Sequence, residues 1–260
     1  MLNIYIHSSG RAGSQPTLKA LMETRYAPNV WLVVQEKEAE AYYKAHPDAN
    51  IRILPADITM LSPTRQHLLY NTPADKIILM DDDLTFSGRS GQPMEVRLLP
   101  LGAEGLENMI AEVEGHLNDW THVGISAREG NNRVSEYTQE VGRMMRVLAY
   151  DVEVVTKIGA RFDRIDTKQD FDMTLQLLRA GHPNLIMFNY AHNQPGSQKE
   201  GGCAAYRDEE MMARCSYELA NLHPGFVKVV AKETKSSWGG GIRTDVRISW
   251  KKAYEDSTRT

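Results

Sequence analysis

Two cysteines in 260 residues, Cys203 and Cys215, form neither a disulfide framework nor a Cys-x-x-Cys pair. That scarcity points to a reducing compartment and argues against a structural zinc. Long apolar runs are also missing. No stretch approaches the roughly 18 apolar residues of a spanning helix, and the N-terminal "MLNIYIHSSGR" is too short in its apolar part for a signal h-region. The expectation is a soluble, cytoplasmic chain without a membrane partner. Charge of one sign is lacking too: 30 Lys and Arg stand against 34 Asp and Glu, a formal net charge of −4. A globally basic nucleic-acid coat is excluded, while a local basic patch is not. Internal repeats and low-complexity segments are absent.

What is present is a core-forming composition, 42% hydrophobic, long enough for one large α/β domain. "LNIYIH" (2–7), "NVWLVVQE" (29–36), "IRILP" (51–55) and "KIILM" (76–80) read as strands, the second nearly continuous in apolar residues, as when both faces of a parallel sheet are covered. Between them lie three helical stretches: "TLKALMETR", capped by Ser14 or Thr17; "EKEAEAYYKAHP", ending near Pro47; and "SPTRQHLLYNTP" (62–73), with Ser then Pro at its start. This alternation implies a mostly parallel sheet with right-handed crossovers, whose ligands bind beyond the carboxyl ends of the strands. The second half adds a helix at 102–120, a strand at 122–126 and a polar segment at 127–142 that reads as a mobile loop over the cleft. A strand with a short helix at 144–159 and a helix at 169–181 ending at Gly181 follow.

Three adjacent aspartates, Asp81, Asp82 and Asp83, follow the fourth strand in "DKIILMDDDLTF". Adjacent carboxylates repel one another, so a cation is expected nearby. Strand alternation sends Asp81 and Asp83 to one side, where they suit a divalent ion or a ribose; the bland alternative is an acidic turn or a helix cap. "SSGRAGSQPT" (8–17) brings Ser8, Gly10 and Arg11 to the same sheet edge. It has neither the P-loop pattern nor the dinucleotide fingerprint, and reads as a generic anion loop or simply a turn. Asp170 and Asp172 in "QDFDMTLQLL" sit at a helix start, where capping competes with general-base catalysis. His192 in "MFNYAHNQPGS" is a structural histidine or the imidazole of a metal site completed by the aspartates. From Lys228 to Lys252 seven Lys or Arg oppose Glu233 and Asp245, around a Gly-rich "SSWGGGIRT" that suits a flap closing on an anion; a solvated charged tail is the alternative.

Together "MDDD" (80–83), "QDFD" (169–172) and "YAHN" (190–193) resemble, in order, the motifs of GT-A glycosyltransferases, with Gln169 where Glu is common. The resemblance implies one α/β GT-A domain over 1–260, with a nucleotide-sugar half at 1–100 and an acceptor half at 101–260 ending in the C-terminal flap. By the same resemblance Asp81 and Asp82 lie near the nucleotide with Ser8, Gly10, Arg11 and Arg65. Asp83 and His192 hold Mn²⁺ or Mg²⁺ on the diphosphate of a UDP-sugar, and Asp170, or Asp172, deprotonates the acceptor. "GRAGSQPTLKAL" (10–21) with "ILMDDDLTF" (78–86) is similar to the TET-associated glycosyltransferases of bacteriophages, which implies 5-hydroxymethylcytosine in DNA as acceptor. Arg128, Asn131, Asn132, Arg133, Arg243 and Arg247 are then the candidate acceptor contacts. A glycan or protein acceptor, a sugar-nucleotide pyrophosphorylase and a non-catalytic nucleic-acid-binding module are the other readings.

Overall fold

The structure is a computed structural model that describes residues 1–90, 97–128, 136–194, 202, 206–234 and 241–258. β1 (Leu2–His7), β2 (Val30–Gln35), β3 (Asn50–Leu54) and β4 (Lys76–Asp81) lie in the order β3-β2-β1-β4, all parallel. The helices α1 (Pro16–Met22), α2 (Ala39–Ala45) and α3 (Leu61–Tyr70) make the crossovers. Two boundaries differ from expectation. α1 has no side-chain cap; the hydroxyl of Thr17 instead donates to Asp81 O and accepts from Leu84 N, both at 2.8 Å. α3 begins at Leu61, and Ser62 is buried rather than capping.

The second half contributes β5 (Thr85–Ser90), β6 (Arg97–Pro100), α4 (Ala103–His116), β7 (His122–Ala127), β8 (Thr138–Glu140), β9 (Val147–Asp151), α5 (Val152–Ile158), α6 (Gln169–Arg179) and β10 (Asn184–Asn193). These strands extend the same sheet as β4-β9-β7-β10-β5-β6, with β8 pairing on β10. β9 runs against both β4 and β7, and β5 and β8 run against β10; the other seven strands point one way. The α/β sheet is therefore mostly parallel in direction, as expected. Of the polar segment read as a loop, residues 138–140 are strand, and 129–135 lie outside the described residues.

Strand alternation divides the core. Ile4, Ile6, Leu32, Ile78 and Met80 meet α1, α2 and α4 on one face, while Tyr5, Val33, Ile77, Leu79 and Tyr150 meet the α3, α5 and α6 side on the other. A third cluster gathers Leu175 and Leu178 of α6, Leu219 of α7 (Glu209–Leu222), Val227 of β11 (Val227–Thr234), Val246 and Ile248 of β12 (Gly241–Ile248), and Ala253 of α8 (Trp250–Ser257). The expected flap is thus an antiparallel two-stranded ribbon packed on α7, with only 235–240 outside the described residues. Among the described residues no helix is long and apolar enough to cross a membrane.

Candidate active site

β1 and β4 are neighbours in a register that sets His7 beside Asp81, so the segments following them leave the sheet at one edge. β4 ends at Asp81, and Asp82 and Asp83 belong to the turn beyond, where strand alternation no longer applies. The charges are divided among cations accordingly. Asp81 Oδ1 accepts from His7 Nε2 at 3.0 Å and from Arg65 Nη2 at 3.2 Å. Arg11 Nη1 bridges Asp82 Oδ1 at 2.8 Å and Asp83 Oδ2 at 3.0 Å, Ser8 Oγ donates to Asp82 Oδ2 at 2.5 Å, and Gln194 Nε2 donates to both oxygens of Asp83 at 2.8 and 3.0 Å. The cation demanded by three adjacent carboxylates is a guanidinium, twice over. Burial alone would raise the Asp81 carboxyl, but the hydrogen bond and charge of His7, with Arg65 and Arg146, outweigh it and bring it down to about 2. Asp83 shifts upward: burial, with repulsion from Asp81 and Asp82, prevails over the Gln194 hydrogen bond and the Arg11 charge.

The loop after β1 is folded onto this turn. Gly10, at φ +70°, donates its N–H to Glu38 Oε2 at 3.0 Å, and the N–H of Arg11 donates to the Tyr42 hydroxyl at 3.1 Å. A phosphate cradle needs such amides turned toward the ligand. Gly10 is a turn residue bonded to a carboxylate and is not among the residues lining the ligand space, whereas Ser8 and Arg11 line it.

That space is a cavity of about 710 Å³, a size suited to a nucleotide-sized ligand. Val33, Leu54, Met60 and Leu61 contribute apolar lining, Ser8, Arg65 and Asp81–Asp83 polar lining, and Asp170, Phe171, Lys232, Arg243 and Trp250 line the same cavity. Nine cationic side chains (Arg11, Lys37, Arg65, Arg143, Arg146, Lys168, Arg207, Lys232 and Arg243) line it against six aspartates (Asp81, Asp82, Asp83, Asp166, Asp170 and Asp245). The surplus suits an anion carrying several charges. Asp170 opens α6 just after Lys168, which is held in the left-handed region at φ +63°. Burial pushes the Asp170 carboxyl up against the pull of Arg65 and Arg143. Phe171 meets Trp250 edge-on at 5.7 Å, and the Arg143 guanidinium lies 4.9 Å from the Phe171 ring centroid.

Several expected residues fall elsewhere. Asp172 is fully enclosed, bound to His223 Nε2 at 2.7 Å and Gln176 Nε2 at 2.9 Å, with Arg164 at 3.4 Å; it fastens α6 to the end of α7 and does not line the cavity. His192 lies inside β10, opposite Phe86 and enclosed by the sheet, and Gln194 two residues on is the side chain that reaches Asp83. Arg128 is exposed at the end of β7, Arg247 is exposed outside the cavity, and Asn131, Asn132 and Arg133 lie outside the described residues. Sequence reasoning missed His7, Arg143, Arg146, Lys168 and Gln194. For His7 the signal was available, since it ends the strand that pairs with the aspartate strand; the others depend on tertiary placement.

A family model described as TET-Associated Glycosyltransferase matches residues 2–202. The chain belongs to that family. It is a glycosyltransferase, and the pyrophosphorylase and non-catalytic readings fall away. The beta-glucosyl-HMC-alpha-glucosyl-transferase of Enterobacteria phage T2 is 25% identical over 238 residues, covering 86% of this chain and 82% of the phage protein. Two solved structures share the fold. Residues 1–349 of TarS from S. aureus with UDP-GlcNAc superpose with a TM-score of 0.55 at 12% identity, over 85% of this chain and 66% of that one. The mannosyltransferase PcManGT of Pyrobaculum calidifontis, in complex with GDP-Man and Mn²⁺, gives 0.56 at 12% identity, over 85% and 62%. The chain thus spans just under two thirds of each of these solved chains.

The donor set can be tested against a divalent cation. No group of three or more His, Cys, Asp or Glu among the described residues could cage a metal alone. Mg²⁺ and Mn²⁺ at phosphate-transfer sites need only one or two carboxylates, the shell being completed by substrate and water. Asp81 and Asp83 present such hard oxygen donors on the cavity wall, and the fit is of that kind.

Proposed function

We propose that this glycosyltransferase moves a sugar from a nucleoside-diphosphate sugar, UDP-linked as first choice, to 5-hydroxymethylcytosine in DNA. The observation that carries the reading is that the triple aspartate and Asp170 line one cationic cavity, with Arg65 bonded to Asp81 and its charge acting on Asp170. The apolar wall of Val33, Leu54 and Met60 suits the nucleotide base, Arg65 and Asp81 its ribose side, and Arg11 the diphosphate. Asp83 would hold Mn²⁺ or Mg²⁺, whose Lewis acidity stabilises charge on the departing diphosphate. Asp170, its carboxylate made more basic by burial, accepts the proton of the acceptor hydroxyl as that oxygen bonds to the sugar carbon, and the diphosphate leaves with the bonding electrons. Arg243 at the cavity rim and Arg247 beyond it suit an acceptor carrying phosphates, as do Arg128 and the neighbouring Asn131, Asn132 and Arg133.

A second acceptor is favoured by one finding: the phage T2 relative is named for beta-glucosyl-HMC, a base already bearing a sugar. Incubation with a panel of nucleotide sugars and three DNAs (unmodified, hydroxymethylated and glucosylated), followed by mass spectrometry of the nucleosides, separates the two. The expected result is one added sugar on hydroxymethylcytidine, none on unmodified cytidine, and loss of transfer with EDTA or with Asp83→Ala. Transfer confined to glucosylated DNA establishes the second acceptor, and transfer only to a glycan or protein overturns both.

A further inference from the structure

The β11–β12 ribbon has two unlike faces. Its register pairs Val227 with Ile248, Val229 with Val246 and Ala231 with Thr244 on one side, and Lys228 with Arg247, Val230 with Asp245 and Lys232 with Arg243 on the other. The first side packs into the cluster shared with α6, α7 and α8. The second therefore carries two rungs in which like charges stand directly opposite each other. Such rungs place Cβ atoms about 5 Å apart and work against the hairpin. Asp245 relieves the inner rung, lying 3.1 Å from Arg243 and 3.6 Å from Lys232. The outer rung has no such relief: Lys228 and Arg247 are exposed and form no ion pair among the described residues.

The rungs are four residues apart along the strand, roughly 13 Å, and the inner one lies on the wall of the cavity that also holds Asp170. A small anion can relieve one rung. A chain of phosphodiesters can meet both while one of its nucleotides occupies the cavity. We propose that the outward face of the β11–β12 ribbon binds the backbone of the acceptor DNA strand beside the nucleotide being glycosylated, Lys228 and Arg247 holding the outer phosphate and Lys232 and Arg243 the one at the cavity mouth. The inference rests on the hydroxymethylated-DNA reading and adds a route for the strand. It also explains why the ribbon keeps an unrelieved like-charge rung: the repulsion is cancelled when the strand binds.

The test measures binding of a fluorescent hydroxymethylcytosine oligonucleotide by the whole protein between about 50 and 200 mM salt, beside thermal melting. Lys228→Gln and Arg247→Gln should each weaken DNA binding several-fold at low salt and reduce the salt slope by about one. Each should also leave Tm unchanged or raise it by about a degree, because one of two repelling charges is gone. UDP affinity is the control, since neither Lys228 nor Arg247 lines the cavity. Unchanged DNA affinity and slope in both variants, while the wild-type protein still glycosylates the oligonucleotide, overturns the ribbon assignment and leaves the acceptor reading intact. Failure of the wild-type protein to bind or modify the oligonucleotide overturns both. Binding to anionic lipid vesicles in preference to DNA, lost in the same variants, assigns the face to a membrane surface and overturns the proposal.

Discussion

Asp170 and Asp172 stand two positions apart in one helix and have opposite surroundings. Asp172 is consumed by His223, Gln176 and Arg164, while Asp170 lies on the cavity wall with its carboxyl raised by burial. The sequence alone left both as candidates, because a helix start offers the same local chemistry to each; only the position of α7 separates them. A raised carboxyl has two consequences of known sign. As the base must be ionised to act, turnover should fall as pH drops through the raised pKa, with an acid limb above the ordinary aspartate range. In the fold the ionised form is disfavoured relative to the unfolded chain, so its stability cost is absent below the unfolded pKa and grows as pH rises through the folded one. Asp170→Asn should therefore lower kcat by about 10²- to 10⁴-fold, abolish the acid limb, and raise Tm at neutral pH but not at acid pH. Near wild-type turnover with the limb intact would move the base elsewhere.

At the scale of elements, the first four strands and their helices were legible because β1, β2 and β4 are buried, the edge strand β3 keeps a short apolar run, and each crossover carries its own apolar residues and proline signals. The C-terminal ribbon was misread. "VKVVAKET" and "GIRTDVRI" both alternate apolar with charged or polar residues, the period of a strand with one buried face, but the glycines between them drew attention to flexibility instead. Thr17 shows a second limit, since a threonine near a helix start reads as a cap and here serves a turn 64 residues away. Its hydroxyl joins Asp81 O to Leu84 N, so α1 clamps the two ends of the aspartate turn. Thr17→Val keeps the shape and leaves both buried partners unsatisfied. It should cost about 1–3 kcal/mol in denaturant unfolding and weaken UDP binding, because the turn loses its brace. Lost stability with unchanged UDP affinity would mean that the turn is held by its arginines alone.

For the whole molecule, strand order was the least accessible feature. Nothing in the residues of β9 announces that it is inserted against the direction of β4 and β7; α5 then starts at the opposite sheet edge, beside Asp75, and the chain returns so that Asp170 at the start of α6 lines the cavity of the aspartate turn. The sequence did yield the net charge, and its sign misleads. The chain is formally −4, yet its described cavity lining has three more cations than carboxylates. These two facts predict opposite responses to salt. If overall charge governed the approach of DNA, screening would remove a repulsion and binding would tighten as salt is added. If the cavity and its mouth govern it, phosphates within a few ångströms of guanidinium groups release counterions and binding must weaken. At physiological ionic strength the Debye length is about 8 Å, so charges remote from the cavity are largely screened while contacts at its mouth are not. The expected outcome is a DNA affinity that falls steadily with added KCl, measured by anisotropy on the wild-type protein. Affinity that is flat or rises with salt would show that the surplus of cations serves the donor diphosphate alone, and that the acceptor is held by contacts without charge.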